Sequence, residues 1–382
     1  MGFLSLALIA LVALLGPLLA LPRKWHLPVV LGELLAGIAV GRSGLRLIDS
    51  GDPTLTFLAD LGFALLMFVA GTHVPILNTE IRKALGHGAI RAAAAGVLAA
   101  GVGSAIAAIA GTGNAPLYVV LLASSSAALV LPIVDTLHLE GPQVLRMLAH
   151  VAIADTAAII ALPLAIDPPH VARAALGTLA VAGTAVVLFA GLWFAERTGG
   201  RHRLHEVSEE RKFALELRIQ LALLFTLAGL ATLSQVSIML AGFSFGLAVA
   251  AIGEPRRLAR QLFALSDGFL TPVFFVWLGA SLDLGALAGN PGMIALGLSL
   301  GAGAIVVHTA MRLLGAPLSL GVMSAAQLGV PAAAVTVGTH LGVLHPGEGA
   351  ALLLGALVTI AATAVGGARA ARRFAAEPVE QE

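Results

Sequence analysis

The 382-residue chain has no cysteine, which excludes disulfides, thiolate metal sites and cysteine nucleophiles. Charge is scarce too: only 11% of residues are Asp, Glu, Lys or Arg, against roughly 25% in soluble domains. The few charges nearly cancel, with 22 Lys and Arg against 21 Asp and Glu, so the chain is not a broad electrostatic binder of nucleic acid. No G-x-x-x-x-G-K-[ST] loop occurs, which argues against ATP-driven transport, and no H-E-x-x-H, which argues against a membrane zinc protease. Ser125, His308 and Asp155 supply the residue types of a serine hydrolase but lack a G-x-S-x-G context, so no enzyme activity and no cofactor are expected. The longest hydrophilic stretch, residues 196–212, is a loop rather than a domain.

What fills the chain instead is apolar sequence, 58% of residues. A spanning helix needs about 20 mostly apolar residues. Thirteen stretches qualify, near 2–21, 27–42, 54–71, 87–110, 115–137, 145–166, 171–195, 214–233, 235–252, 260–281, 291–313, 316–341 and 347–368. The first has no basic residues before it, only Arg23 and Lys24 after it, so it reads as a retained span and not a secretory signal. Nineteen of the 22 Lys and Arg fall in or beside every second connection and the C-terminal tail; Arg42, Arg46 and Arg173 are the rest. Positive residues favour the cytoplasm, which places the N-terminus outside and the C-terminus inside a multi-pass plasma (inner) membrane protein.

Two segments echo each other. Phe57-Leu58-Ala59-Asp60 leads to Phe68-Val69-Ala70-Gly71, and Ser266-Asp267-Gly268-Phe269 leads to Phe275-Val276-Trp277-Leu278-Gly279. Leu35–Gly41 likewise echoes Phe245–Ala251. The partners are seven spans apart, an odd offset, so the copies face opposite ways. This predicts two inverted repeats, spans 1–6 and 8–13, joined by span 7. Inverted repeats are a transporter signature with the site near the bilayer midplane.

An ionisable group at bilayer depth is a functional hypothesis by default. Asp155 sits mid-way along the sixth span, with no Lys or Arg within eight residues. A carboxylate there bears a desolvation cost that either a proton or a bound cation removes; the bland alternative is a structural Asp paired with a buried base. The fifth span carries Ser124, Ser125 and Ser126 ahead of Pro132; the twelfth carries Ser324, Gln327 and Gly329 ahead of Pro331. Proline removes a donor and strands the carbonyl four residues earlier, which places helix breaks at Pro132 and Pro331. Matching breaks in two halves are a sequence pointer to a transport site, and freed carbonyls with the hydroxyls of Ser125, Ser126 and Thr156 would suit a hard alkali cation. His308 is either neutral and hydrogen-bonded or a partner of Asp155. Arg312 either joins the site or snorkels to the inner interface. Asp60 and Asp267 gate, pair with a base or cap a helix, and Glu33 reads as an interfacial acid.

The run Leu27-Pro28-Val29-Val30-Leu31-Gly32-Glu33-Leu34-Leu35-Ala36-Gly37-Ile38-Ala39-Val40-Gly41 resembles the opening signature of the monovalent cation:proton antiporter-2 family. So do Phe57–Gly62 followed by Leu66–Gly71, and Phe269–Phe275 followed by Gly279 and Leu282. The resemblance runs over essentially the whole chain. It implies an all-α, NhaA-like fold with two crossing broken helices. It also implies a homodimer, with dimerisation parts at 1–80 and 201–288, core transport parts at 81–168 and 289–382, and a linker helix at 169–200. The family's paired motif in span six, commonly Asp-Asp, Asn-Asp or Gln-Asp, falls on Ala154 and Asp155, so its first member is missing here. The span-eleven Lys of some members falls on His308, with Arg312 as the rival position. A "QGGE"-like motif is matched only at Gln327 and Gly329. The reading that follows is a secondary antiporter in which Asp155 binds Na⁺ (or K⁺) and H⁺ in alternation, with electroneutral exchange. A cation channel or a sodium-coupled symporter of the same fold is the alternative.

Overall fold

The computed structural model describes residues 1–21, 29–72, 79–198, 214–234, 236–252 and 256–374, with the side chains of all but 79–83 and 256–260. Arg23, Lys24, Arg82, Lys83 and the basic residues of 201–212 and 256–260, which weigh in the charge count, lie outside these. The described residues are helical: α1 (Phe3–Ala13), α2 (Leu15–Ala20), α3 (Val29–Val40), α4 (Pro53–Thr72), α5 (Thr79–Ala110), α6 (Ala115–Ala123), α7 (Ala127–Thr136), α8 (Pro142–Ile166) and α9 (Val171–Arg197). The second half runs α10 (Leu215–Leu233), α11 (Ile238–Ile252), α12 (Arg256–Leu265), α13 (Thr271–Ser281), α14 (Leu284–Ala288), α15 (Pro291–Thr309), α16 (Leu318–Ser324), α17 (Gly329–Leu341) and α18 (Glu348–Phe374).

Eleven helical stretches among the described residues are long and apolar enough to cross a membrane. The second and ninth expected spans appear as shorter apolar helices, Val29–Val40 and Ile238–Ile252. Among the described residues eleven of the expected thirteen spans thus have full length, and the other two are present as apolar helices.

The chain forms two compact units. Unit 1 comprises Met1–Leu14, Glu33–Leu77 and Pro169–Ser281. Its helices meet at glycines because only a missing Cβ permits the observed approach. A Cβ on Gly37 of α3 would lie 2.2 Å from the Val276 carbonyl of α13, and one on Gly279 would lie 2.2 Å from the Leu34 carbonyl. Gly71 of α4 and Gly246 of α11 meet in the same way. Beside these crossings Phe63 stacks on Phe274 and Phe68 on Phe245, with centroids 4.7 and 5.2 Å apart. The echoed glycine motifs are thus helix-crossing points.

Unit 2 comprises Leu15–Gly32, Asn78–Pro168 and Leu282–Glu382. The long α5 packs along α6, α8 and α15, and α15 packs along α18. Two spans here are interrupted. The fifth is split into α6 and α7 by the extended residues Ser124–Ser126, and the twelfth into α16 and α17 around Ala325–Leu328. These positions correct the sequence expectation. Pro132 lies inside α7, and Pro331 lies in the first turn of α17. A first-turn proline costs little because its missing N–H has no intrahelical partner anyway. The breaks occur where Ser124, Ser125 and Gln327 bond with their side chains to main-chain carbonyls, Ser124 within its own helix end and the other two across the crossing.

Candidate ion site in unit 2

The two interruptions bond to each other reciprocally. Ser125 Oγ, from the first, donates to the Ser324 carbonyl at the end of α16, at 2.7 Å. Gln327 Nε2, from the second, donates to the Leu121 carbonyl in the last turn of α6. Gln327 is held in turn by its main-chain N–H to Thr359 Oγ1 of α18, at 3.2 Å. Ser124 Oγ also bonds Leu121 O, and His308 Nε2 lies 3.0 Å from Ser124 O. The carbonyls left by the broken helices at Leu121, Ser124 and Ser324 are therefore occupied by side chains. The expected cation ligands, the carbonyls behind Pro132 and Pro331, belong to Ala128 and Gln327 and lie downstream of the Ser124–Ser126 break and within the 325–328 one.

The amino end of α7 is used differently. Asp155 of α8, 7% exposed, accepts from the Ala127 N–H through Oδ2 at 3.0 Å. Ala127 opens α7, and Ser126 at the N-cap makes no side-chain capping bond. Asp155 thus caps the helix from outside, and the positive end of the helix dipole faces the carboxylate. No ion pair joins Asp155 to a described base. Its neighbour Ala154 is buried and carries no polar atom. Thr156 donates to Ala152 O within its own helix, leaving its oxygen lone pairs rather than its proton available.

Other sequence candidates fall elsewhere. His308 bonds Ser124 O and not Asp155, which selects the hydrogen-bonded alternative. Arg312 is exposed in the short turn Ala310–Leu314 after α15 and takes no part in the crossing. Glu33, Asp60 and Asp267 lie in unit 1. Glu33 is 4% exposed, so it is buried rather than interfacial. Asp267 is exposed and accepts from Ser266 Oγ in a wide turn between α12 and α13.

Sequence reasoning missed Glu348, Arg91 and His150, at 0%, 3% and 2% exposure. Glu348 opens the last span behind Gly347, where an acid at a span end reads as a loop residue. Arg91 was counted among loop-flanking bases. His150 is set in an apolar run five residues before Asp155, and that setting was the available signal. Among the described residues no group of three or more His, Asp or Glu is arranged to hold a metal. A cation at Asp155 would therefore meet one carboxylate and neutral oxygens.

An all-helical membrane unit with two crossing broken helices and a buried carboxylate at one helix end defines the architecture of a secondary ion transporter. The profile described as "Sodium/hydrogen exchanger, transmembrane" matches residues 9–366, and the chain belongs to that family. It is 26% identical over 379 residues to YjbQ of Bacillus subtilis (strain 168), covering 93% of this chain and 61% of that protein. It is 30% identical over 278 residues to the glutathione-regulated potassium-efflux system protein KefC of Cronobacter sakazakii, covering 69% of this chain and 42% of KefC. The chain thus spans less than two thirds of these curated relatives. The solved structure of the sodium proton antiporter MjNhaP1 from Methanocaldococcus jannaschii at pH 8 superposes with a TM-score of 0.68 at 18% identity, over 98% of this chain and 99% of that one, which establishes the shared fold.

Proposed function

We propose that the chain is a secondary antiporter that exchanges Na⁺ or K⁺ for H⁺ across the plasma membrane, binding both at Asp155. The observation that carries this reading is the Asp155 carboxylate itself, buried, without an ion pair, and held at Oδ2 by one amide at the start of α7. One amide bond and a helix end offset only part of the desolvation penalty of an anion in a protein interior. A proton or an alkali cation removes the rest, and the two compete for the same oxygens. The loaded, neutral form then moves more easily than the empty, charged form, which makes exchange obligatory. With Asp155 as the single carrier, one cation exchanges for one proton and no net charge crosses.

The same reading takes the chain as a homodimer in which the parts at 81–168 and 289–382 move against those at 1–80 and 201–288. It takes the N-terminus to be outside, in keeping with the Lys and Arg distribution. Potassium is a second cation worth equal testing, because several relatives are named as potassium-efflux proteins.

The test uses the purified chain in vesicles with an acid interior and an entrapped pH dye. Addition of Na⁺ or K⁺ is expected to dissipate the gradient, and Asp155→Asn to abolish this. Asn keeps an oxygen for the Ala127 N–H, so the substitution removes the charge and leaves the cap. No response to any alkali cation refutes antiport. Cation conductance without proton movement indicates a channel, and undiminished exchange by Asp155→Asn removes the site.

A further inference from the structure

One buried cluster in unit 2 has no part in the exchange scheme. His150 of α8 and His308 of α15 stack with ring centroids 5.2 Å apart and planes 24° from parallel. They are 2% and 0% exposed. His308 Nε2 faces the Ser124 carbonyl at 3.0 Å. A carbonyl only accepts, so Nε2 carries the hydrogen. In the neutral ring Nδ1 is then a bare acceptor, and it is buried with no donor in reach. His150 Nε2 is also buried without a partner.

The surroundings are basic rather than acidic. Arg91 of α5 is 3% exposed, donates to the Leu314 carbonyl, and lies within electrostatic range of His150. Arg146 of α8 lies within range of Arg91. The other titratable groups on elements packed against the pair are His87 of α5, Tyr118 of α6, Asp135 of α7, Asp155 of α8, His340 of α17, and Glu348, Arg369, Arg372 and Arg373 of α18, with Arg312 in the turn after α15. Among the described residues none of the acids forms a hydrogen bond or ion pair with either ring. Asp155 is engaged at Ala127, and Glu348 at Asn114, Tyr118 and His345. An imidazolium at His308 would therefore sit in a dry site against the His150 ring, which itself lies in the field of Arg91, with no counter-ion among the described residues.

We propose that His150 is a positioning residue that holds His308 as a neutral Nε2–H imidazole, capping the carboxyl end of α6 without charge. The only charge the moving unit then gains or loses at the crossing is the one on Asp155. This rests on the exchange reading above and adds the element that keeps the exchange electroneutral. Nδ1 of His308 has no hydrogen-bond partner among the described residues, and Arg91 disfavours positive charge on His150, the ring stacked against it.

The test has two arms. The first is the ¹⁵N NMR spectrum of histidine-labelled protein, with His308 assigned by the signal lost in His308→Gln. The wild type is expected to show the neutral Nε2–H form, unchanged between about pH 6 and 8, a range bracketing the ordinary histidine value. In His150→Glu a carboxylate beside Nδ1 is expected to make His308 doubly protonated. The second arm is exchange in vesicles at clamped membrane potential. The wild-type rate is expected to ignore the potential. A doubly protonated His308 in the wild type at neutral pH overturns the proposal. So does a wild-type voltage dependence that His308→Gln removes. A folded His150→Glu protein with unchanged tautomer also overturns it. If no cation drives exchange at all, the antiport reading fails, while the wild-type spectrum still decides the state of His308.

Discussion

Glu348 offers the sharpest test of the packing in unit 2. Its carboxylate is fully buried, yet every acceptor site is filled. Oε1 accepts from Asn114 Nδ2 at 2.7 Å and from Tyr118 Oη at 2.6 Å. Oε2 accepts from the His345 N–H at 2.8 Å and faces His345 Nδ1 at 3.0 Å. The acid thus ties the first turn of α18 to the first turn of α6. Glu348→Ala strands the buried Tyr118 hydroxyl and unpairs the half-buried Asn114 amide and the main-chain N–H of the exposed His345. An unsatisfied buried group costs about 1–3 kcal/mol, and with a smaller cost for the two donors that water can reach the loss is about 2–4 kcal/mol. Glu348→Gln keeps one oxygen; its amide, turned toward His345, finds Nδ1 as an acceptor but leaves the main-chain N–H unpaired, for about 1–3 kcal/mol. Tyr118→Phe removes one charge-assisted bond and leaves the acid three others, for about 1.5–3 kcal/mol. Thermal dispersal of the detergent-solubilised protein, followed by size-exclusion chromatography, is expected to rank Glu348→Ala as clearly the worst. Once Glu348 is gone, Tyr118→Phe should cost less than it does alone, because the hydroxyl then has no acceptor to lose. A Glu348→Ala protein as heat-resistant as wild type, or strict additivity of the two substitutions, refutes the reasoning.

Glycine substitutions should have opposite signs at two sites. Gly37→Val places a Cβ 2.2 Å from the Val276 carbonyl and is expected to destabilise by about 1–3 kcal/mol or more, whereas Gly86→Ala meets nothing within 4 Å and should stabilise α5 by about 0.5–1 kcal/mol, both read in the same thermal assay. Asp52, ahead of α4, has its carboxyl held below the ordinary range by the Met1 amine first and by the Leu55 and Thr54 amides. Its stabilising effect is thus present above the unfolded value, about 3.9, and is lost as pH falls through the lower folded value. Amide-exchange protection of Thr54 and Leu55 should drop in that acid window and, at neutral pH, drop in Asp52→Ala more than in Asp52→Asn, since Asn also caps helices.

Much of the site was legible because charge is so scarce. Asp155 stood out as an acid with no nearby base, and the structure buries it without an ion pair. The serine-rich and Pro-containing spans were recognisable as a matched pair, and the echoed glycines proved to be helix crossings. The exact breaks were not legible. Proline marks where a helix can lose a bond, but a first-turn proline loses none. The chain opens instead where side chains compete for main-chain groups. Glu348 was also hidden, because an acid beside glycines at a span end looks solvated until its donors are in place. Arg91 and His150 were hidden likewise, since a base near a span end is ordinarily at an interface.

The sequence by itself determined the solvent, the helical class, the approximate spans and the carboxylate that stands alone. Those properties follow from composition and from periodicity within about 20 residues, the length over which a bilayer must be crossed. Only the tertiary structure decided which polar groups face one another. Ser125 meets Ser324 across 199 positions, Leu121 meets Gln327 across 206, and Tyr118 meets Glu348 across 230. At such separations local preference carries no information about the partner. The pairing is chosen by helix packing, under the requirement that no buried polar group be left without one. That requirement settles that the carbonyl ends of the broken helices are closed by Ser124, Ser125, Gln327 and His308, while the amino end of α7 is left to Asp155.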